Sequence, residues 1–114
     1  MMQEKTSRIR YLQSFYDEAE EITFYIKSIL GNPQAAERFV NEVESAIEER
    51  SQNPEIFAVY AYSTDDKLPY YRILVGNYII LYVVLTENGE KIMEVRRVLY
   101  GRRNISLLIF NGKV

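Results

Sequence analysis

The stretch Tyr70–Asn104, with the sequence YYRILVGNYIILYVVLTENGEKIMEVRRVLYGRRN, decides the fold. It contains three apolar runs rich in β-branched and aromatic residues, which are separated by Gly76-Asn77 and by Asn88-Gly89. Glycine in first place is typical of a type II′ hairpin turn, and Asn-Gly is typical of a type I′ turn. The stretch therefore predicts three consecutive antiparallel strands that form a meander.

The two turns also predict the register of these strands. The first turn places Arg72 opposite Leu81, and the second places Val84 opposite Met93 and Leu81 opposite Arg96. Because side chains alternate between the two faces of a sheet, one face is expected to be apolar nearly throughout and to pack on helices. Its predicted members are Tyr71, Ile73, Val75, Tyr78, Ile80, Tyr82, Val84, Met93, Val95, Arg97 and Leu99.

The other face of the predicted sheet is mixed, with arginines 72 and 96 and Leu81 in one row across the three strands. A solvated sheet face is normally polar, whereas half of this one is aliphatic. The pattern therefore predicts that something covers this face. Its predicted members are Arg72, Leu74, Ile79, Leu81, Val83, Glu94, Arg96 and Val98.

Two amphipathic helices are predicted before the meander. Ser14 with Asp17 three residues later has the pattern of a capping box, and Gly31 is a common residue just after a helix end. Asn32-Pro33 then supplies the N-cap and the first position of the second helix, which is expected to end near Arg50. Apolar residues recur at helical spacing. They are Phe15, Ala19, Ile22, Ile26 and either Ile29 or Leu30 in the first helix, and Ala36, Phe39, Val40, Val43, Ala46 and Ile47 in the second.

The remaining segments complete the predicted order. Residues 7–12 alternate in polarity and predict a short strand at the edge of the meander. Residues 53–69 predict either an irregular strand around residues 57–62 or a mobile functional loop. Residues 105–110 are apolar and predict a last strand or a docked turn. The expected fold is α+β in the order β-α-α-β-β-β, a two-helix antiparallel hairpin on one antiparallel sheet, as a single domain over residues 1–114.

The composition excludes several kinds of catalytic site. The 114 residues include no cysteine and no histidine, which excludes disulfides, thiolate nucleophiles and sites that depend on histidine. The net charge of −2 gives no overall attraction to nucleic acid, so a basic site would have to be local. No apolar run approaches the ~20 residues of a membrane span. We expect a cytoplasmic protein without a metal or cofactor.

Several short motifs, taken together, resemble the RelE/ParE superfamily of bacterial type II toxins, especially its plasmid-stabilisation branch. The most specific is RVLYGRRN at residues 97–104, combined with Gly76-Asn77-Tyr78 upstream. Asn32-Pro33-Gln34-Ala35-Ala36, Asn53-Pro54 and Tyr71-Arg72 add to the resemblance, which covers about residues 9–104. The strand and helix order of that superfamily agrees with the order predicted above.

The resemblance implies a growth-inhibiting toxin that a cognate antitoxin keeps inactive by wrapping it, with part of the antitoxin on the mixed face. ParE-like members of the superfamily inhibit DNA gyrase and need no hydrolytic site. RelE-like members cut mRNA in the ribosome. A homodimer and a toxin–antitoxin heterotetramer both remain open.

The residues expected in the nuclease members are only partly present. By resemblance, Arg72 matches a lysine of the nuclease motif and Arg103 matches an arginine of the later strand-end motif. Leu74 stands where a second lysine is expected, and Ile79 stands where the central catalytic arginine is expected. Residues 105–110 contain no tyrosine. The resemblance therefore favours a gyrase inhibitor over a ribosome-dependent, metal-independent endoribonuclease, and an inactive antitoxin-binding relative is the third alternative.

The chemistry of RNA cleavage points the same way. Cleavage needs a group that accepts a proton and a group that neutralises developing negative charge. Arginines can supply the second, but a guanidinium stays protonated and is a poor base. Tyr78 and Tyr100 are the nearby proton acceptors, with an ordinary pKa near ~10. A nuclease would use Arg72, Arg103 and Tyr100. A partner or target surface would use Arg72, Leu74, Ile79, Leu81, Arg96, Arg102 and Arg103.

Overall fold

The computed structural model of the chain describes residues 7–101. Its helices and strands follow the predicted order, with one short strand added before the meander. They are β1 (Arg8–Tyr11), α1 (Gln13–Phe24), a π-helical turn (Tyr25–Ile29), α2 (Pro33–Arg50), β2 (Ala61–Tyr62), β3 (Pro69–Val75), β4 (Tyr78–Glu87) and β5 (Glu90–Tyr100). The last predicted element, residues 105–110, lies outside the described residues.

The strands form one sheet in the order β1-β5-β4-β3-β2. β1 lies at the edge of the meander as predicted and runs parallel to β5, while the other neighbours are antiparallel. Between β1 and the rest of the sheet the chain forms α1 and α2, which lie against one face. The predicted α+β architecture is confirmed, with one parallel pair in an otherwise antiparallel sheet.

The two glycine turns of the meander form where the sequence predicts them. Asn88 and Gly89 both have positive φ, 53° and 78°, as a type I′ turn requires. Gly76 has a φ of 57°, which is the conformation that glycine adopts at the lowest cost. The β3–β4 register that follows from the first turn is confirmed, with Arg72 opposite Leu81.

The predicted β4–β5 register is correct near the second turn and wrong beyond a β-bulge. Val84 is opposite Met93 as predicted. Tyr82 is opposite Val95 but Leu81 is opposite Arg97, so Arg96 is an additional residue on β5. The predicted row of residues 72, 81 and 96 is therefore replaced by a row of residues 72, 81 and 97.

The bulge also shifts the residues that follow it on β5. Val98, predicted on the mixed face, lies in the core under the helices, and Leu99, predicted under the helices, lies in the core of the other face. Arg97, also predicted under the helices in the apolar face, instead binds a carboxylate of α1. A single inserted residue is enough for these changes, since side chains alternate along a strand.

Tertiary contacts, rather than a capping box, determine the start of α1. The helix begins at Gln13 after Leu12, and Ser14 lies inside it. The Ser14 hydroxyl donates a 2.7 Å hydrogen bond to the carbonyl oxygen of Arg96, so the predicted N-cap at Ser14 is wrong. The predicted N-cap of α2 is confirmed, because the Asn32 side chain accepts a 3.0 Å hydrogen bond from the Ala35 amide.

The first helix does not keep its α-helical geometry to the predicted end. Residues Tyr25–Ile29 form a π-helical turn, in which the Leu30 amide donates to the Tyr25 carbonyl five residues earlier. The apolar stripe stops at Ile26, which packs on the core. Ile29 and Leu30, of which one was expected inside, are both exposed.

The sheet has an apolar core on each face. The core under the helices contains Phe15, Phe39, Val43 and Ile47 of the helices, the predicted strand residues Tyr71, Ile73, Val75, Ile80, Tyr82, Met93 and Val95, and Val98 from beyond the bulge. The second core, on the opposite face, consists of Tyr70, Ile79, Leu81, Val83 and Leu99. Tyr60 and Leu68 pack against the second core, and we call the segment that contains them, residues 60–68, the strap. Of the irregular strand expected around residues 57–62, only the two residues of β2 form a strand. The strap covers part of the face that the sequence predicted to be covered.

Candidate functional site

β3 carries two of the predicted surface residues, and both are exposed. Arg72 pairs with Leu81, whose side chain lies in the second core, so Arg72 and Leu74 are on the strap side of the sheet. The Arg72 guanidinium carbon lies 4.8 Å from the centre of the Tyr60 ring, which is a cation–π distance. Leu74 is 63% exposed. These two side chains are accessible to a partner.

A groove of about 490 Å³ adjoins Leu74 at this edge of the sheet. Its apolar wall includes Ile56 and Phe57, which are also largely exposed, and its other wall is the end of α2 with Glu49 and Arg50. We call it the β3 groove. Neither Ile56 nor Phe57 was predicted as a site residue. In the sequence, the only indication of a surface role is that these apolar residues lie in a segment of uncertain structure.

Arg50 connects the wall of the β3 groove to the sheet. Its guanidinium carbon lies 3.8 Å from the centre of the Phe57 ring, and Nη1 donates hydrogen bonds of 3.1 Å to the Arg72 carbonyl and 2.9 Å to Tyr82 Oη. The fully buried Tyr82 in turn donates a 2.7 Å hydrogen bond to the Pro54 carbonyl. Burial, the largest effect, raises the pKa of Tyr82, so its hydroxyl remains a donor. These hydrogen bonds hold the end of α2 and the segment that follows it, which line the groove, against the sheet.

Three other predicted surface residues are buried. Ile79 and Leu81 belong to the second core, with exposed fractions of 8% and 0%. Arg96 is also buried, because the bulge directs it into contact with the strap. As the chain is folded, these three side chains are covered by its own residues and offer no contact to a partner.

Arg96 is at the centre of a network of charged side chains on the strap side. Nη2 lies 2.7 Å from Asp66 Oδ2 of the strap, and Nε lies 2.9 Å from Glu94 Oε1. The other carboxylate oxygen of Glu94 lies 2.7 Å from Nη2 of Arg10, which also binds Glu87. The network therefore joins β1, β5, β4 and the strap, and it gives the buried Glu94 two cationic partners.

The pKa values of the network reflect these contacts. Burial alone would lower the pKa of Arg96, but hydrogen bonds to Asp66, Tyr70 and Glu94 outweigh it and the pKa lies above its ordinary value. Burial would raise the pKa of Asp66, yet hydrogen bonds from Arg96, Ser63 and the Leu68 amide leave it below its ordinary value. Both groups are charged at neutral pH. The Arg96 guanidinium therefore forms ion pairs within the fold and has a structural role.

The two described members of the predicted nuclease set lie on opposite faces of the sheet. Arg72 pairs with Leu81 on the strap side, whereas Tyr100 pairs with Tyr78. Leu81 and Tyr78 are three residues apart on β4, so they point to opposite faces. Tyr78 packs against the core under the helices, at 5.0 Å between its ring centre and that of Phe39. Tyr100 therefore belongs to the helix side, and the bulge is the reason.

Tyr78 is also poorly suited to accept a proton. Burial, followed by the nearby Tyr100 and Tyr25, raises the pKa of Tyr78. A tyrosine with a raised pKa is protonated at neutral pH and is a weak base there. Arg102 and Arg103, the remaining predicted site residues, lie outside the described residues 7–101. Among residues 7–101, the accessible Arg72 and the exposed apolar side chains beside it are therefore a candidate binding surface.

Within the same range, no group of three acidic residues is arranged to hold a metal ion. The described helices also include none with the length and apolar character needed to cross a membrane.

Comparisons with known proteins cover most of the chain. The family model described as the ParE toxin of type II toxin–antitoxin system, parDE, matches residues 9–105. No curated protein matches the chain. Among solved structures, the chain is similar to the YoeB/ParE toxin from Agrobacterium tumefaciens, with a TM-score of 0.53 and 17% identity over 82% of this chain and 97% of that one. It is also similar to the archaeal RelE–RelB complex from Pyrococcus horikoshii OT3, with a TM-score of 0.49 and 19% identity over 86% of this chain and 98% of that one.

Proposed function

The chain belongs to the ParE toxin family of type II toxin–antitoxin systems, and from this premise we propose that it inhibits bacterial growth by binding DNA gyrase and that a cognate antitoxin neutralises it. Gyrase is the target that the sequence resemblance to ParE-like toxins implies. A cytoplasmic location follows from that target. The proposal requires a surface that binds a protein, and it requires no hydrolytic site.

The observation that best supports binding over cleavage is the separation of Arg72 from Tyr100. A proton acceptor and a cation must reach the same phosphate group to assist its cleavage. Two positions on opposite faces of one sheet do not meet this requirement. Arg72 with Leu74 and the β3 groove instead combine one cation with exposed apolar side chains, and such a composition is typical of protein interfaces.

The direct test is a supercoiling assay with purified gyrase and the full chain. Inhibition is expected at a molar excess of toxin, and it is expected to weaken for Leu74→Glu, which places a charge on the exposed apolar surface. A control is Thr86→Glu, which introduces the same charge at an exposed position of β4, away from the β3 groove. Gyrase that supercoils normally at excess toxin would refute the proposal.

The two alternatives have separate signatures. A ribosome-dependent endonuclease would produce codon-phased cuts in translated mRNA, detected by primer extension after induction. An inactive relative would leave growth unchanged when expressed without its antitoxin. Both experiments use the same expression strain, so one set of cultures discriminates among the three functions.

A further inference from the structure

The end of the first helix exposes four large apolar side chains in a run of seven residues. Phe24, Tyr25, Ile29 and Leu30 have exposed fractions of 61%, 50%, 62% and 59%. They lie on the helix layer, whereas Arg72 and Leu74 lie on the far side of the sheet. We call these four residues the π-turn patch, and the observations on it do not depend on gyrase being the target.

The π-helical turn is the reason that Ile29 and Leu30 are both exposed. The amphipathic spacing of the sequence would place Ile29 or Leu30 in line with Ile22 and Ile26, on the core. The additional residue in the π-turn rotates the following residues, and both aliphatic side chains turn outward. π-Helical turns are rare and occur frequently at functional sites. Here the rare geometry exposes apolar surface that an α-helix would bury.

The two-helix hairpin that carries the π-turn patch is acidic overall, although Lys27 lies within the patch run. Between Gln13 and Arg50 the chain has nine acidic and three basic residues, although the net charge of the whole chain is only −2. Glu20 and Glu21 are exposed and lie one turn before Phe24 and Tyr25, on the same faces of the helix. Neither glutamate forms an ion pair with any of residues 7–101. Both side chains are exposed, so their charges are accessible to a partner from outside.

The apolar side chains and the two nearby glutamates indicate which kind of partner fits this surface. A second copy of the chain would place two acidic hairpins against each other, and like charges at an interface are unfavourable. We propose that the π-turn patch binds a cationic amphipathic segment of another protein, with apolar side chains on Phe24, Tyr25, Ile29 and Leu30 and lysine or arginine beside Glu20 and Glu21. Apolar contact supplies the affinity, and the charges supply the orientation and the preference among partners.

The probe for this site is a synthetic amphipathic helix with leucines at helical spacing on one face and lysines elsewhere. A second peptide carries glutamate in place of each lysine. Binding of each labelled peptide to the full chain is followed by fluorescence anisotropy. The lysine peptide is expected to bind at least about tenfold more tightly than the glutamate peptide, and raising the salt concentration is expected to reduce this preference.

Variants locate the binding to the patch. The double variant Phe24→Ser with Ile29→Ser is expected to lower the affinity for the lysine peptide by about tenfold or more. The matched control is Ile56→Ser with Leu74→Ser, which removes two equally exposed apolar side chains from the β3 groove and is expected to change binding by less than about twofold. Both pairs are exposed, so all variants are expected to fold, and circular dichroism checks this.

Two results would overturn the proposal. One is an equal loss of binding in the patch variant and in the groove variant. The other is a wild-type dimer in analytical ultracentrifugation that the patch variant no longer forms, since a second copy would then be the occupant. Gyrase assays are separate from these measurements, so a failure here and a failure of the proposed function are distinguishable.

Discussion

The guanidinium of Arg96 lies 2.7 Å from the carboxylate of Asp66, and this contact joins the strap to the sheet. Arg96 is the additional residue of the β-bulge, and it reaches the strap because the bulge inserts it into β5. Glu94, also buried, binds the same guanidinium. The irregularity in the strand and the covering of the second core are therefore parts of one arrangement.

Replacing Asp66 with asparagine is expected to destabilise the strap. The variant keeps the shape of the side chain but removes the charge that faces Arg96, so we expect the free energy of unfolding to fall by about 1–2 kcal/mol. Urea unfolding measures this change, and faster hydrogen exchange at the Ser63 and Lys67 amides locates it in the strap. Asp65→Asn is the control, since Asp65 forms no ion pair within residues 7–101 and its variant is expected to stay within about 0.5 kcal/mol. Equal effects of the two variants would contradict a specific role for Asp66.

The same pair predicts a dependence of stability on pH. The pKa of Asp66 in the folded chain lies below its ordinary value, because hydrogen bonds from Arg96 and its neighbours outweigh burial. Its contribution is therefore fully present above the ordinary carboxyl pKa, near ~4, and is lost as the pH falls through the lower folded value. The difference in unfolding free energy between wild type and Asp66→Asn is expected to shrink between about pH 6 and about pH 2. A difference that is constant over that range would exclude ionised Asp66 as its source.

The β-bulge is the part of the sheet register that the sequence pattern did not predict. Alternation and turn chemistry predicted the register wherever a two-residue turn was near, as for Arg72 with Leu81 and Val84 with Met93. At the bulge, Arg96 contacts Asp66 of the strap, which is 30 residues away in the chain. A local pattern contains no such information, so the register was wrong beyond Tyr82.

Ser14 was misread for a similar reason. In the sequence, Ser14 with Asp17 three residues later has the pattern of a capping box. In the fold, β1 ends at Tyr11 while β5 continues, and α1 takes over the role of a neighbour to β5. The Ser14 hydroxyl binds a carbonyl of β5, and Glu18 Oε1 accepts a 3.1 Å hydrogen bond from the Val98 amide. Polar backbone groups of a strand edge are thus satisfied by helix side chains.

Glu18 is accordingly expected to contribute to stability far more than its helical neighbours. It binds the Arg97 guanidinium as well as the Val98 amide, and both charged side chains of the pair are mostly buried. Glu18→Ala is expected to lower the free energy of unfolding by about 3 kcal/mol, because it leaves a buried cation and an amide without this partner. Glu20→Ala, on the exposed face, is the control and is expected to change it by less than about 0.5 kcal/mol. Thermal and urea unfolding of both variants measure the contrast, and similar losses would show that Glu18 acts only through helix propensity.

The sequence predicted the exposure of the candidate site residues only in part. Arg72 and Leu74 could be assigned to a surface because the first turn fixes their register. Ile79 and Leu81 share that face but belong to the second core, against which the strap packs, and no turn in the sequence defines a register for the strap. The bulge places Tyr100 on the helix side, away from Arg72, and neither the turns nor the alternation predicted the bulge.

Arg72→Ala is expected to weaken inhibition of gyrase without destabilising the fold. Arg72 is exposed and its charged group rests on the Tyr60 ring, so its removal leaves no buried group unsatisfied. We expect at least about a tenfold higher toxin concentration for half-inhibition of supercoiling. Arg8→Ala is the control, because Arg8 is also exposed and lies on β1 at the opposite edge of the sheet. Equal losses in the two variants would indicate that only net charge matters.

Tyr82→Phe is expected to show that the β3 groove depends on a hydrogen bond within the core. The hydroxyl that it removes donates to the Pro54 carbonyl and accepts from Arg50, and both contacts hold the segment after α2 against the sheet. With the carbonyl left unpaired in a buried position, we expect the free energy of unfolding to fall by about 1–3 kcal/mol and the amides that follow α2 to exchange faster. Tyr71→Phe is the matched control, because Tyr71 is also buried and stacks on Tyr82 at 5.4 Å, while its hydroxyl forms no hydrogen bond with residues 7–101. That variant is expected to stay within about 0.5 kcal/mol of wild type, and a comparable loss would mean that ring packing, rather than the hydroxyl, braces the groove.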